Sequence, residues 1–286
     1  MKLSQLHISR RTLAIAAALT ATVSLAIGAH AALSIRKLDV AKAAPTEQAA
    51  LPVNGPSRLA LIIGNGHYPD AAAPLTQPIN DARALSASLR HDGFDVDVVE
   101  DATKDDMARA VERLKSKIRP DSVVMLFFGG YGVQAGRETY MIPVDAAIWK
   151  ERDVRREGLS VESVLDVMKQ QGARARLVVL DASRRNPYER RFRSFSHGLA
   201  PIATPDNALV LSSATPDKVV DDANGANSAL VAELLNNLNS GDAGAEAIFN
   251  RTRVAVSRAS EGAQVPSVSS SLLEDVHFAA ADNAGS

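Results

Sequence analysis

The sequence VVMLFFGGYG, at residues 123–132, joins a continuous apolar run to a glycine-rich turn. An apolar run of this length that stops at glycine is typical of a buried parallel strand. The sequence LVVLDASR, at residues 177–184, has the same form, with polar residues after the apolar run. In open α/β sheets, ligands bind beyond the carboxyl ends of the strands. Tyr131 and the segment Asp181–Ser183 therefore lie where a functional site is expected.

Strand-like runs and helical patterns alternate on both sides of these two segments. We predict strands at Leu59–Ile63, Phe94–Val99, Val123–Phe128, Leu177–Leu180 and Ala208–Leu211. Apolar residues at helical spacing predict three helices, with stripes that begin at Ile79, Met107 and Val161, and two more at Asn227–Asn239 and Ala245–Ser260. Thr103 followed by Asp106 is a capping pattern for the second helix. The alternation predicts one α/β domain with a mainly parallel sheet.

Composition narrows the chemistry that this domain can perform. The chain has 286 residues, of which 46% are hydrophobic, so it is long and apolar enough to build a real core. Its formal net charge of −1 gives no basic field, which argues against nucleic acid as a partner. It contains no cysteine, which excludes disulfides, thiolate metal sites and a thiol nucleophile.

The N-terminal residues 1–31 have the layout of a bacterial secretory signal. Positive residues at Lys2, Arg10 and Arg11 precede an apolar run, and a small-x-small pattern ends the segment at Ala31. The two arginines also resemble a twin-arginine export signal. The alternative is an uncleaved membrane anchor, but a span needs about 20 apolar residues and this run is shorter. We therefore predict a periplasmic or secreted protein, tethered to the membrane only if the segment is retained.

The segments that flank the predicted domain have a different composition. Residues 32–57 are rich in alanine and proline and lack sustained periodicity, so we predict a linker there. Residues 279–286 are predicted to form a disordered tail. The folded domain is accordingly placed at residues 58–278.

Eight motifs carry a family resemblance across this domain. They are Arg58–Asn65, Pro78–Ala82, Gly93–Val96, Phe127–Gln134, Tyr140–Ala146, Leu180–Pro187, Gly198–Ala200 and Gln264–Pro266. In order and spacing they resemble the caspase-like domain of peptidase family C14, especially bacterial orthocaspases and metacaspases. The resemblance implies a three-layer caspase-haemoglobinase fold, with a mainly parallel central sheet flanked by helices.

The two positions that depart from this family are the ones that carry its chemistry. The family uses a His and a Cys as a catalytic dyad, and this chain has Tyr131 and Ser183 at those positions. A serine hydroxyl is a weak nucleophile that needs an adjacent base. Tyrosine, with an ordinary pKa of about 10, donates a proton at neutral pH but hardly accepts one. The sequence therefore predicts a catalytically inactive member of a cysteine endopeptidase family.

Two alternatives remain open at this stage. One is a hydrolase that uses Ser183 with a different base, for which the mature chain offers His67, His91, His197 and His277. No Gly-x-Ser-x-Gly elbow surrounds Ser183, which argues against that reading. The other alternative is a purely structural interaction module with a vestigial cleft.

Asp81 and Asp181 point to a ligand. The resemblance implies that these two aspartates line an acidic pocket for an Arg or Lys side chain. The structural interpretation is that Asp81 caps a helix and Asp181 ends a strand. Two carboxylates that converge on one cleft would attract a guanidinium or ammonium group. The expected partner is thus a peptide or protein segment with a basic residue.

Two further groups of charged residues are interpreted more simply. An arginine cluster follows Ser183, at Arg184, Arg185, Arg190, Arg191 and Arg193, and we interpret it as a solvated, flexible loop rather than an anion or partner contact. Calcium binding is considered at Asp217, Asp221 and Asp222. These residues lack the regular ligand spacing of an EF-hand loop, so neither a metal nor another cofactor is predicted.

Overall fold

The computed structural model describes residues 57–69, 74–185, 187–188, 199, 202–220, 225–239 and 243–279. The predicted signal lies outside these residues, as do the linker except Ser57 and the tail except Ala279. Those assignments therefore stay predictions. Among the described residues, no helix has both the length and the apolar character that a membrane span needs.

Nine strands form two sheets. They are β1 Arg58–Gly64, β2 Asp95–Glu100, β3 Val123–Gly129, β4 Gly132–Ala135, β5 Glu138–Met141, β6 Leu159–Ser160, β7 Ala175–Asp181, β8 Ala208–Ser212 and β9 Ser267–Ser270. The main sheet has the order β2-β1-β3-β7-β8-β9. Its first five strands are parallel, and β9 runs antiparallel to β8. The predicted mainly parallel sheet is confirmed.

Six helices complete the described domain. They are α1 Gln77–His91, α2 Lys104–Lys117, α3 Glu151–Glu157, α4 Val161–Gln170, α5 Ala229–Leu238 and α6 Ala245–Ala259. Helices α2 and α4 share one hydrophobic core with one face of the main sheet, and α1, α5 and α6 share a second core with the other face. Side chains on a strand point alternately to the two faces of the sheet, so a single apolar strand contributes residues to both cores. The expected three-layer arrangement follows.

Local signals explain where the helices begin. Thr103 and Asp106 form the predicted capping box at the start of α2. Helix α1 begins at Gln77, so the interpretation of Asp81 as its N-cap is wrong. Pro78, whose ring is preorganised for the first turn, starts this helix earlier than the motif suggested. Asp81 consequently lies one turn inside α1, where its side chain points into the protein and is fully buried.

The register of the central strands fixes the position of the site. Gly64 at the end of β1 is aligned with Gly129 at the end of β3, and Gly129 is aligned with Asp181 at the end of β7. The residues that follow these three strands therefore lie side by side at one edge of the sheet. Gly64 also allows α1 to pack closely on β1, because a Cβ there would lie 2.4 Å from the Pro78 carbonyl oxygen.

Candidate functional site

The loops after β3 and β7 stay paired beyond the ends of the strands. The Gly130 amide donates to the Asp181 carbonyl at 3.3 Å, and the Gly132 amide donates to the Ala182 carbonyl at 3.0 Å. Tyr131 and Ser183 are thereby held on neighbouring loops. The structure thus brings together the two positions that the sequence singled out.

Tyr131 is packed into an aromatic cluster. Its ring meets the Tyr68 ring edge to face, with centroids 4.7 Å apart and planes at 63°. Only 8% of Tyr131 is exposed. All four tyrosines of the chain belong to the same hydrophobic cluster: Tyr68, Tyr131, Tyr140 and Tyr188. The position at which the family resemblance predicts a catalytic imidazole is therefore occupied by a largely buried phenol ring.

Tyr68 holds this cluster through its hydroxyl group. The hydroxyl accepts a hydrogen bond from the Tyr131 amide at 3.1 Å and donates one to the Ile142 carbonyl at 2.9 Å. Burial raises the pKa of Tyr68 well above its usual range, so this hydroxyl keeps its proton. Gly130 gives it room, because a Cβ there would lie 2.5 Å from the Tyr68 oxygen. We call Tyr68, Gly130 and Tyr131 the aromatic arm of the site.

Ser183 is buried, with 2% of its surface exposed. Its amide donates to Ser213 Oγ at 3.4 Å, and its carbonyl accepts from the Val220 amide at 2.7 Å. No hydrogen bond joins Ser183 Oγ to another residue in the described part of the chain. The loop is therefore held through its backbone, while the Ser183 hydroxyl has no base hydrogen-bonded to it among the described residues.

His67, one of the four candidate bases, is directed away from Ser183. His67 follows β1, and its Nδ1 lies 2.6 Å from Asp101 Oδ2, beyond the end of β2. Strands β1 and β3 separate β2 from β7, and neighbouring strands lie about 4.8 Å apart. The imidazole therefore points toward the side of the sheet away from Ser183, and this pair is exposed rather than part of the cleft.

Of the other candidate bases, two lie elsewhere in the fold and one is not described. His91 ends α1, about 20 Å along the helix from Pro78, which packs beside Gly64. His277 adjoins Phe278, whose ring contacts Phe94. Phe94 directly precedes β2, so this contact lies at the amino ends of the parallel strands, whereas Ser183 follows the carboxyl end of β7. His197 lies outside the described residues. The described residues thus supply no histidine beside Ser183.

Asp81 is fully buried but only half satisfied. Its Oδ1 accepts hydrogen bonds from Asn227 Nδ2 at 2.8 Å and from the Ser228 amide at 3.0 Å. Its Oδ2 is buried and has no hydrogen-bond partner within the described residues. Burial, and next the negative charge of Asp181, raise the pKa of Asp81 to about 6. The hydrogen bonds offset only part of this cost.

Asp181 has an internal counterion, which the sequence interpretation missed. Arg184 Nη2 lies 3.4 Å from Asp181 Oδ2, and both side chains are at least nine-tenths buried. Arg184 Nη1 also donates to the Gly130 carbonyl at 3.1 Å and to the Asp181 carbonyl. The interpretation of this cluster as a solvated loop is wrong for Arg184. It fits the exposed Arg185, and the remaining three arginines of the cluster lie outside the described residues.

A sequence signal for the ion pair did exist. Arg184 follows Asp181 by three residues, directly after a strand that the apolar pattern marks as buried. A buried carboxylate is costly unless it is paired, so the nearest cation in the chain was its natural partner. We call Asp81, Asp181 and Arg184 the acidic arm. With two carboxyl groups and one guanidinium, it carries a surplus negative charge when both carboxyl groups are ionised.

The acidic arm is closed in this conformation. Asp181 contacts Arg184, and Asp81 is covered by Asn227 and Ser228, so each carboxyl group has an internal partner among the described residues. The chemistry of the arrangement still favours cations, because one oxygen of Asp81 has no hydrogen-bond partner among the described residues and lies near a second carboxyl group.

No metal cluster is found in the described part of the chain, where no three His, Asp or Glu side chains are placed to hold an ion. Asp217, one of the three residues considered for calcium, is described and adopts a left-handed backbone with φ of 63°. Asp221 and Asp222 lie outside the described residues. Calcium binding at these three residues therefore stays an untested alternative.

Comparison with known proteins gives one family and two curated relatives. The family model for the caspase domain of peptidase C14 matches residues 57–277. The human mucosa-associated lymphoid tissue lymphoma translocation protein 1 is 29% identical over 134 residues, which is 46% of this chain and 16% of that protein. Its mouse homologue is 30% identical over 137 residues, with the same two shares. The matches therefore span about a sixth of each relative's length.

Proposed function

The chain belongs to the caspase-domain family, and on that premise we propose that its domain binds a peptide or protein segment through an Arg or Lys side chain without cleaving it. The observation that carries the proposal is the acidic arm. One buried oxygen of Asp81 has no described hydrogen-bond partner and lies near Asp181. This pair of carboxyl groups would be stabilised by a further positive charge. A guanidinium or ammonium group of a partner would supply that charge.

The absence of cleavage is proposed from the chemistry of the dyad positions. Attack on a peptide carbonyl needs a nucleophile and a base within about 3.2 Å, directly or through one water. Ser183 has no histidine beside it among the described residues. Tyr131 packs in the aromatic arm, where it is poorly suited to accept a proton. The surrounding fold supports positioning of a ligand, and these two residues argue against turnover.

We also propose that the protein is exported. The support is the sequence pattern of residues 1–31, where positive charge, an apolar run and a small-x-small site follow one another. Expression of the full chain in a Gram-negative host, followed by fractionation and intact mass, tests this. Loss of the first 31 residues in the periplasmic fraction is the expected result. A full-length protein in the cytoplasm would contradict it, and a full-length protein in the membrane fraction would indicate an anchor.

The test of non-cleaving recognition compares turnover with binding on the same protein. Fluorogenic peptides that end in Arg or Lys before the reporter are incubated with the wild type and with Ser183→Ala. We expect the same background rate for both. A rate that Ser183→Ala abolishes would overturn the claim of inactivity.

Binding is measured with labelled peptides that differ only at one residue, Arg, Lys, Gln or Asp. We expect saturable binding of the Arg and Lys peptides and weaker binding of the Gln and Asp peptides. If neither the wild type nor the Arg184 variant described below distinguishes basic from neutral peptides, the recognition proposal is wrong.

A further inference from the structure

Arg184 joins the two loops that carry the dyad positions. Its guanidinium contacts the Gly130 carbonyl, next to Tyr131, and the carbonyl and carboxyl oxygens of Asp181, two residues before Ser183. Arg184 is only 6% exposed. The group that occupies Asp181 is thus a guanidinium, the same chemical group that an external arginine would bring.

The contact with the carboxyl group is loose for an ion pair. Charge-assisted N–H···O bonds are usually about 2.7 to 2.9 Å long, and arginine pairs with carboxylates are often bidentate. Arg184 reaches Asp181 Oδ2 with one nitrogen, at 3.4 Å. Its closer contacts are to backbone carbonyls. A basic side chain that approached Asp181 with better geometry would therefore compete well for the carboxyl group.

The other carboxyl group is less accessible. Residues 225–228 lie against α1, where Asn80 Nδ2 donates to the Ala226 carbonyl at 2.9 Å and Asn227 Nδ2 donates to Asp81 at 2.8 Å. Gln77 Nε2 also reaches the Gly225 carbonyl, at 3.3 Å. Several hydrogen bonds would have to break before a ligand reached Asp81, so Asp181 offers the easier first contact.

We propose that Arg184 is an internal occupant and gate of the acidic arm, which an external basic side chain must displace before it can bind Asp181. The inference rests on the proposed recognition of basic residues for the identity of the external ligand. The occupancy of Asp181 by Arg184 is independent of that ligand.

The gate has a measurable consequence for affinity. When only a fraction of the molecules is competent to bind, the apparent Kd is the intrinsic Kd divided by that fraction. Minor conformers of this kind are typically populated at about 0.1 to 10%. Removal of the Arg184 charge should therefore tighten binding of a basic peptide by at least about tenfold.

The variant Arg184→Gln tests this on the full chain. Glutamine keeps an N–H donor for the Gly130 and Asp181 carbonyls but removes the cation. We expect the Kd for the Arg peptide, measured by fluorescence anisotropy, to fall at least about tenfold relative to the wild type. Two matched controls should leave it within about threefold, namely Arg184→Lys, which retains a cation, and Arg185→Gln, which changes the exposed neighbour. An unchanged Kd in Arg184→Gln would overturn the gate and leave recognition intact.

A second measurement does not depend on peptide binding. Methylguanidinium at about 10 mM should raise the Tm of Arg184→Gln relative to sodium chloride at equal ionic strength, because it refills the vacated place. The wild type should show no such difference. Rescue without peptide binding by any variant would overturn the proposed recognition but support the internal occupancy. Should Arg184→Gln fail to fold, recovery of its folded state in methylguanidinium supports the gate, and no recovery overturns it.

Discussion

The aromatic arm and the acidic arm lie at the same edge of one sheet, yet their buried polar groups differ in how they are paired. In the aromatic arm the Tyr68 hydroxyl both donates and accepts, and none of the three residues carries a charged side chain. In the acidic arm three ionisable side chains are buried together, and one carboxyl oxygen has no described partner. The predicted dyad position Tyr131 thus lies in a packed, uncharged cluster, whereas the predicted recognition residues Asp81 and Asp181 bring buried charge together.

The energetic difference between the arms suggests what each contributes. Buried groups with satisfied hydrogen bonds add to stability, whereas an unpaired buried charge costs several kcal/mol. Packing alone therefore gives no reason for the Asp81 carboxyl group. A buried residue whose charge lowers stability is a candidate for a functional role, which agrees with the function proposed above.

The largest expected effect comes from neutralising Asp81. Its pKa is raised to about 6, so the native state holds the proton more tightly than the unfolded state, whose carboxyl group titrates near pH 4. The contribution of Asp81 to stability is most favourable below about pH 4, falls as the pH rises to about 6 and stays low above that. Asp81→Asn should remove this slope and raise the free energy of unfolding at pH 7 by up to about 3 kcal/mol.

Urea titrations from pH 4 to 8 measure this effect. The exposed Asp121→Asn serves as the neutral control, since asparagine tolerates the left-handed backbone that Asp121 adopts. Asp181→Asn should have the opposite sign and lose about 3 kcal/mol, because it leaves the buried Arg184 without its counterion. If both Asp81→Asn and Asp181→Asn destabilise the protein equally, the division of roles between the two carboxyl groups is wrong.

Much of the fold was predictable because its central strands are buried on both faces. Such strands are continuous apolar runs, which the sequence displays at β1, β3, β7 and β8. The small sheet of β4, β5 and β6 was not predicted, because strands of two to four residues are too short to show alternation. Strand β9 was missed for a similar reason: its sequence SVSS has one apolar residue.

The site was predictable in its positions but not in its partners. Strand ends and family motifs placed Tyr131, Ser183 and Asp181 at one edge, where the structure brings them together. Two contacts depend on tertiary structure and have no local signature. Asp81 accepts hydrogen bonds from Asn227 and Ser228, which are almost 150 residues away in sequence. The Tyr131 amide, after β3, donates to the Tyr68 hydroxyl, after the neighbouring strand β1.

The next effect tests the aromatic arm. Tyr68→Phe keeps the ring but removes the hydroxyl that serves the Tyr131 amide and the Ile142 carbonyl. Loss of the hydrogen bond to the buried Tyr131 amide costs about 1 to 3 kcal/mol, which urea unfolding should reveal. The Ile142 carbonyl keeps its hydrogen bond from Asn65 Nδ2 at 3.1 Å. Tyr140→Phe is the matched control in the same cluster, because the Tyr140 hydroxyl bonds the exposed Glu138 and not the backbone. A cost for Tyr68→Phe no larger than that of Tyr140→Phe would mean that the hydroxyl does not hold the arm.

The smallest effect is expected at Ser183 and decides how the activity assay is interpreted. Ser183 Oγ has no hydrogen-bond partner among the described residues, so Ser183→Ala should change the free energy of unfolding by less than about 0.5 kcal/mol. Ser213→Ala should cost about 1 kcal/mol, since its hydroxyl accepts from the Ser183 amide. If Ser183→Ala costs as much as Ser213→Ala, the Ser183 hydroxyl has a structural role. If it is silent, any turnover that disappears with Ser183→Ala must be assigned to chemistry, because the fold is unchanged.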